Sequence, residues 1–363
     1  MYFDPRPKES KRDFYNREKE LKEFMDSLSN PLTLILGVRR SGKTSLLLVG
    51  LNEAKLPYMI IDCRDLPINP SKKDVILAFE RGFNEMVKKH RKIWESIKNY
   101  LKIIEGVKIL GLGASFSWEK TSPSSIISEI NNWARDHNTR VVIAFDEFQQ
   151  IRGAKEILTL IAHTYDYKRN ISIVLTGSEM GLLYDALRID DPKAPLYGRY
   201  LYEIKLKNFT REQAIEFLLL GFHQHNIKPS KRILEYAVDR FNGIPGWLTF
   251  FGAEATRRKT LSKEIIDEIF EKASLQALEE IKNFLKLRMA AAKRYKTILK
   301  SIASGRTRWS EIKRSLEAQE GRKLPNATVT NLLKNLVKTS IIKEENGNYT
   351  FMDPIIENAA KKL

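Results

Sequence analysis

Eight consecutive residues, Gly37-Val38-Arg39-Arg40-Ser41-Gly42-Lys43-Thr44, fit the pattern G-x-x-x-x-G-K-[ST], and the apolar run Leu32 to Leu36 stands directly before them. The chemistry this spacing can do is phosphate binding. Glycines at both ends, Gly37 and Gly42, let the backbone turn tightly and bring its N–H groups to phosphate oxygens at the positive end of the following helix. Arg39, Arg40, Ser41, Lys43, Thr44 and Ser45 complete the candidate phosphate-binding set. Lys43 would reach the β/γ-phosphates of a nucleotide, and the Thr44 hydroxyl would ligate Mg²⁺. Further along, Val141-Val142-Ile143-Ala144-Phe145 reads as an apolar strand ending in Asp146-Glu147. Beside a phosphate loop, Asp146 would hold Mg²⁺ through its water shell, and Glu147 is placed to polarise an attacking water. A third strand end, Thr176-Gly177-Ser178 after Ile171 to Leu175, carries hydroxyls that can touch the γ-phosphate or that water. The same tripeptide also reads as an ordinary turn.

These groups need strands that end together. Tyr58 to Ile61 and Tyr200 to Leu206 are further short apolar runs. Strands interleaved with helical segments predict a parallel α/β sheet covered on both faces, with the phosphate site beyond the strand carboxyl ends. Before the first strand, Leu21, Phe24, Met25 and Leu28 fall on one helical face, with Asn16 as a candidate cap. A long helical segment is expected from Ser71 to Leu101, and one or two strands among Gly106, Gly111 and Gly113. Another helix is expected over Ser124 to Asp136. After Phe209 the strands stop. Thr210-Arg211-Glu212-Gln213 is a capping box, and helical patterns continue through Gly243-Ile244-Pro245-Gly246 to about Arg288. Then Tyr295, Ile298, Leu299 and Ile302 mark one helix, Trp309 to Leu316 a second and Pro325 to Val337 a third. A hairpin turning at Asn346-Gly347 follows them, which makes a winged helix-turn-helix. The expected domains are an α/β core over 1–207, a helical lid over 208–288 and a winged helix over 289–363.

A chain of 363 residues exceeds the usual single core. Hydrophobic content of 42% is ordinary for a globular protein, which excludes wholesale disorder. No apolar run is long enough for a bilayer, and the opening Met1-Tyr2-Phe3-Asp4-Pro5-Arg6 has no signal-peptide features, so a cytoplasmic protein without a membrane partner is expected. Cys63 is the sole cysteine, which excludes an intrachain disulfide and a cysteine-based metal site. The five histidines have no ligand spacing and are expected in solvent. The net charge of +17 is uneven, because residues 290–363 hold 15 Lys/Arg against 7 Asp/Glu, or +8. Such a module suits a polyanion such as duplex DNA, and a charged soluble surface explains it equally.

With these parts in place the chain resembles the archaeal ATPase family, which belongs with the AAA+ and STAND branches of the P-loop NTPases. The resemblance rests on Phe14 to Leu21, similar to F-x-x-R-E-x-E-L, on Gly37 to Thr44 with its Arg-Arg pair, and on Phe145-Asp146-Glu147-Phe148-Gln149. Leu175 to Ser178, Pro195 to Arg199, Gly243 to Gly246 and Tyr349 to Pro354 add to it. It implies ATP or ADP with Mg²⁺ as ligands and places Phe14 and Arg17 toward the adenosine end. It also makes Gly243 and Pro245 nucleotide sensors in the lid, and Arg199 a phosphate-sensing arginine or a finger for a neighbouring subunit; a surface salt bridge would explain Arg199 too. The lid lacks the sensor arginine of ring-forming motors, which favours a switch. The expected function is a Mg²⁺-dependent ATPase. The alternatives are a DNA-binding, replication-initiator-like regulator in which ATP only sets conformation, and a switch that docks a protein client.

Overall fold

Consecutive apolar residues with β-branched content have one stable destination, a strand covered on both faces. In the computed structural model, which describes residues 1–151, 155–178, 180–258 and 261–363, the first part of the chain begins α1 (Glu18–Ser27), β1 (Leu32–Leu36), α2 (Lys43–Ala54), β2 (Tyr58–Asp62), α3 (Lys72–Lys89) and α4 (Arg91–Leu101). It continues through β3 (Val107–Leu110), β4 (Gly113–Phe116), α5 (Pro123–Asp136), β5 (Val141–Asp146), α6 (Lys155–Tyr167), β6 (Ile171–Gly177), α7 (Met180–Leu187) and β7 (Tyr202–Lys205). Strands β2-β5-β6-β1-β7 form one sheet in that order, and every neighbouring pair is parallel. Every residue of β1, β5 and β6 is buried. Leu32, Leu34, Leu36, Ile143, Phe145, Ile173 and Leu175 face a cluster built with α3 to α6, while Ile35, Val142, Ala144 and Val174 face α1 and α2. The period-two alternation of a strand thus feeds two cores.

The second part runs α8 (Arg211–His223), α9 (Lys231–Phe241), α10 (Pro245–Arg258), α11 (Lys263–Lys286), α12 (Ala292–Ala303), α13 (Trp309–Glu320) and α14 (Asn326–Lys338). The hairpin β8 (Ile342–Glu345) and β9 (Asn348–Phe351) follows, then α15 (Pro354–Lys361). Helix α8 opens with the expected capping box, the Thr210 hydroxyl accepting from the Gln213 N–H. The hairpin turns at Asn346 and Gly347 with φ of 52° and 75°, the double left-handed geometry of a two-residue turn. By packing, the chain divides into two compact units. One holds Lys8–Gly37 and Lys43–Leu206; the other holds Met1–Pro7, Val38–Gly42 and Lys207–Leu363. Five residues of the phosphate loop therefore pack with the helical unit.

Four local expectations change. The helical stretch after Ser71 is two helices, because His90 (φ −114°, ψ 54°) leaves the helical path while its N–H still closes α3 on Met86. On α1 the core side is Leu21, Phe24 and Leu28, and Met25, one position round from Phe24, is exposed. Asn16 caps nothing; it takes a left-handed turn (φ 51°) ahead of Arg17, which occupies the cap position. His90 is half-buried rather than solvated, and its enclosed Nε2 has no partner among the described residues. Among the described residues no helix is long and apolar enough to cross a membrane.

Candidate functional site

Parallel pairing sets the site, because the register brings strand carboxyl ends level. Asp62 of β2 pairs with Asp146 of β5, Phe145 pairs with Leu175 of β6, and Leu36 of β1 pairs with Gly177. The residues just beyond these ends meet at one edge of the sheet. Thr44 Oγ1, in the first turn of α2, donates to the Asp146 carboxylate at 3.2 and 3.4 Å. Thr176 Oγ1 donates to Asp146 Oδ1 at 2.5 Å and accepts from the Glu147 N–H at 3.0 Å. Glu147 sits in the left-handed region (φ 54°, ψ 47°), a conformation non-glycine residues hold only when their surroundings fix it. Its carboxylate accepts from Ser178 Oγ at 2.8 Å and from the amide of Gln149, which also donates to Ser178 at 3.1 Å. Thr176 and Ser178, read as phosphate contacts or as a turn, thus each grip one of the two carboxylates.

Two further groups had not been singled out. Arg64 clasps Asp62 through Nε (2.8 Å) and Nη2 (2.5 Å), and Nη2 stands 3.8 Å from Asp146 Oδ2. Gln149 is buried, and its Oε1 has no hydrogen-bond partner among the described residues. The signal for Asp62 was available, an acidic residue closing an apolar run just as Asp146 does. Gln149 closes the Phe145-to-Gln149 motif that carries the resemblance, but no role had been given to it. Burial pushes the Asp146 carboxyl above its ordinary value; the Thr176 hydrogen bond opposes this, Glu147 and Asp62 add to it, and Arg64 opposes it. Burial also raises Asp62, but the hydrogen bonds and charge of Arg64 outweigh it and leave that carboxyl low. A buried, electron-rich carboxylate beside a hydroxyl is an oxygen donor set suited to a hard divalent cation. Among the described residues no cluster of three or more His, Cys, Asp or Glu could hold a metal alone. A cation at Thr44 and Asp146 would complete its shell with phosphate oxygens and water.

In the sheet unit, Gly37 follows β1 and Lys43 begins α2 with its side chain buried. Ser45 Oγ accepts from the Lys8 N–H at 3.0 Å, and Asn52 donates to the Glu9 carbonyl, so the chain ahead of α1 lies along α2. Phe14 is buried against Leu21, Phe24 and Leu46. Arg17 is buried and pairs with Glu20 at 2.8 Å. Arg199 is occupied with Asp166, at 2.7 and 3.1 Å, and with the Pro195 carbonyl.

The rest of the loop belongs to the helical unit. Arg40 is left-handed (φ 65°), Gly42 has φ 96°, and the buried Ser41 hydroxyl has no partner among the described residues. Arg39 and Arg40 both bond Glu280 of α11, Arg39 at 3.4 Å. Gly243 is left-handed, and its carbonyl accepts from the Phe209 N–H. Pro245 is the first residue of α10. The next residue, Gly246, donates its N–H to the Arg40 carbonyl at 2.9 Å; a Cβ there would lie 2.6 Å from the Arg40 Cβ, so only glycine permits the approach.

The family model described as an ATPase domain predominantly from Archaea matches residues 14–251, from Phe14 through the Gly243-Ile244-Pro245 turn. One for the C-terminal winged helix-turn-helix domain of MCM proteins matches residues 289–352. Among solved structures the chain is similar to a Walker-type ATPase of Pyrococcus abyssi, with 36% identity and a TM-score of 0.84 over 99% of this chain and 100% of that one. The ORC2 protein of Aeropyrum pernix, solved as ADPNP–ADP complexes, aligns over 99% of this chain and 95% of its own with a TM-score of 0.63. Its 15% identity makes that a likeness of fold. An uncharacterized protein of Methanocaldococcus jannaschii is 24% identical over 94% of this chain and 67% of its own length.

Proposed function

The chain belongs to the family of ATPase domains found predominantly in archaea, and on that premise we propose that it is a Mg²⁺-dependent ATP hydrolase whose nucleotide state sets the conformation of its winged helix. The observation that carries this reading is the pair of carboxylates at one strand end, differently held. Asp146 faces the hydroxyl of Thr44, and Glu147 is turned into a left-handed residue and gripped by Ser178 and Gln149. One carboxylate is thereby oriented for a cation and the other for a water.

In this reading the loop N–H groups from Arg39 to Ser45 and the ammonium of Lys43 bind the phosphates. Thr44, and Asp146 through water, would hold Mg²⁺, which when bound would neutralise phosphate charge as a Lewis acid. Glu147 accepts a hydrogen bond from the attacking water and aligns it with the γ-phosphoryl group. Thr176 fixes Asp146, and its bond to the Glu147 N–H ties the two carboxylates together. Phe14 and Arg17 lie toward the adenosine end, and Gly243 and Pro245 read the loop through the Gly246–Arg40 contact. Arg199 reaches a γ-phosphate, in its own or a neighbouring subunit, by exchanging Asp166 for it. The domain limits 1–207, 208–288 and 289–363 are part of the same proposal. The test is phosphate release by the full chain with Mg²⁺-ATP: steady turnover that stops on chelating Mg²⁺ supports the reading, and tight binding without turnover reduces it to a switch.

A second reading is favoured by the winged-helix match and the +8 charge of residues 290–363. Here α14 enters a DNA groove, with exposed Lys334 and Lys323 at the phosphate backbone. The expected result is binding of the full chain to duplex DNA that weakens steeply with salt. Lys334→Gln should reduce the slope of log K against log salt by about one. A salt-independent affinity, or one indifferent to both lysines, would rule α14 out.

A further inference from the structure

Arg40 of the phosphate loop is held from outside the loop at both its backbone and its side chain. Its carbonyl accepts from the Gly246 N–H, its guanidinium carbon lies 3.8 Å from the centre of the Trp247 ring, and its guanidinium bonds Glu280. Trp247 is 1% exposed and donates its indole N–H to Asp353 Oδ2 at 2.6 Å. Asp353, also buried, stands between β9 and α15, and its other oxygen caps α15 by accepting from the Ile355 N–H at 2.8 Å. All four side chains belong to the same compact unit as residues 38–42. Cation, ring and carboxylate therefore form one line of contacts from a half-buried residue of the phosphate loop to a buried one at the end of the wing. A carboxylate is a costly partner for a core tryptophan when a neutral acceptor would serve. Burial pushes the Asp353 carboxyl above its ordinary value, and the hydrogen bonds from Trp247 and Ile355 and the nearby charge of Arg40 oppose this.

We propose that Asp353 is a positioning residue for nucleotide binding: through Trp247 it holds Arg40, and with it the left-handed turn that aims the N–H groups of the phosphate loop. This rests on the nucleotide-binding reading above and adds to it the route by which the winged helix feels the nucleotide. Coupling of this kind is reciprocal. A change at Asp353 must alter nucleotide affinity, and nucleotide must alter the order of α15 and the wing. Neither follows if the stack is only core packing, because a packing defect lowers stability without linking the two.

The test uses the full chain, Mg²⁺-ADP and a non-hydrolysable ATP analogue, with calorimetry for affinity and amide hydrogen exchange for order. In the unaltered chain, nucleotide should slow exchange at Ile355 and Ile356 as well as at Thr44 to Leu47. Asp353→Asn should weaken binding about tenfold and abolish the effect at Ile355 while protection at α2 persists at saturation. Trp247→Phe keeps a ring under Arg40 but loses the indole N–H; it should also uncouple α15, and it serves if the Asp353 variant fails to fold. Nucleotide binding in the unaltered chain, with affinity within twofold in a folded variant or no protection at α15, overturns the coupling alone. No binding by the unaltered chain overturns both proposals.

Discussion

Lys43→Ala yields a folded chain whose affinity for Mg²⁺-ATP falls by about a hundredfold. Lys43 is the first residue of α2, between Gly42 and Thr44, and its side chain is buried. A fixed ammonium against a phosphate is a charge-assisted contact worth about 1.5–3 kcal/mol, the upper end of which is roughly two decades in Kd. The fold should survive, because what anchors α2 is the burial of Leu46, Leu47, Val49 and Leu51, which the substitution leaves in place. Calorimetric titration measures the loss, and circular dichroism checks that the helices remain. Equal affinity in the two proteins would mean that phosphate is not held at this loop, and the roles given to Thr44, Asp146 and Glu147 would go with it.

The parts of this site that were legible in the sequence are those dictated by local physics. A short apolar run closed by the glycine of a phosphate loop, as in β1, or by a carboxylate, as in β5, reads as a buried strand, which is why both strands and their functional ends could be read directly. The capping box at Thr210 and the Asn346-Gly347 turn are equally local, each satisfying backbone groups a few residues away. One local signal went unread: Asp353-Pro354 is a cap followed by proline in the first helical turn, and α15 begins there. What could not be read is lateral placement. Thr176 and Ser178 were visible as hydroxyls at a strand end. That they hold Asp146 and Glu147 depends on β6 lying beside β5 with Phe145 opposite Leu175, a register no spacing encodes. The contacts of Arg40 with Trp247 and Glu280 are more distant still, brought together by helices whose own sequences report only that they are amphipathic.

Glu147→Gln separates binding from chemistry. The substitution keeps the size of the side chain, and the new amide oxygen can still accept from Ser178 Oγ, so the left-handed backbone and its bond to Thr176 need not move. Asp146 and Thr44 keep their hydrogen bonds as well, and nucleotide affinity should stay within about twofold of the unaltered chain. What goes is the negative charge that accepts a hydrogen bond from the attacking water. Removing a positioned general base typically costs about 10²–10⁴-fold in rate, so turnover should fall by at least two decades while Kd holds. Single-turnover phosphate formation, measured after acid quench with protein in excess over ATP, reads the chemical step free of product release. A rate within a few-fold of the unaltered chain would remove Glu147 from the chemistry. Its strained conformation and its grip by Ser178 and Gln149 would then have to serve the cation at Asp146, and the water would need a different acceptor.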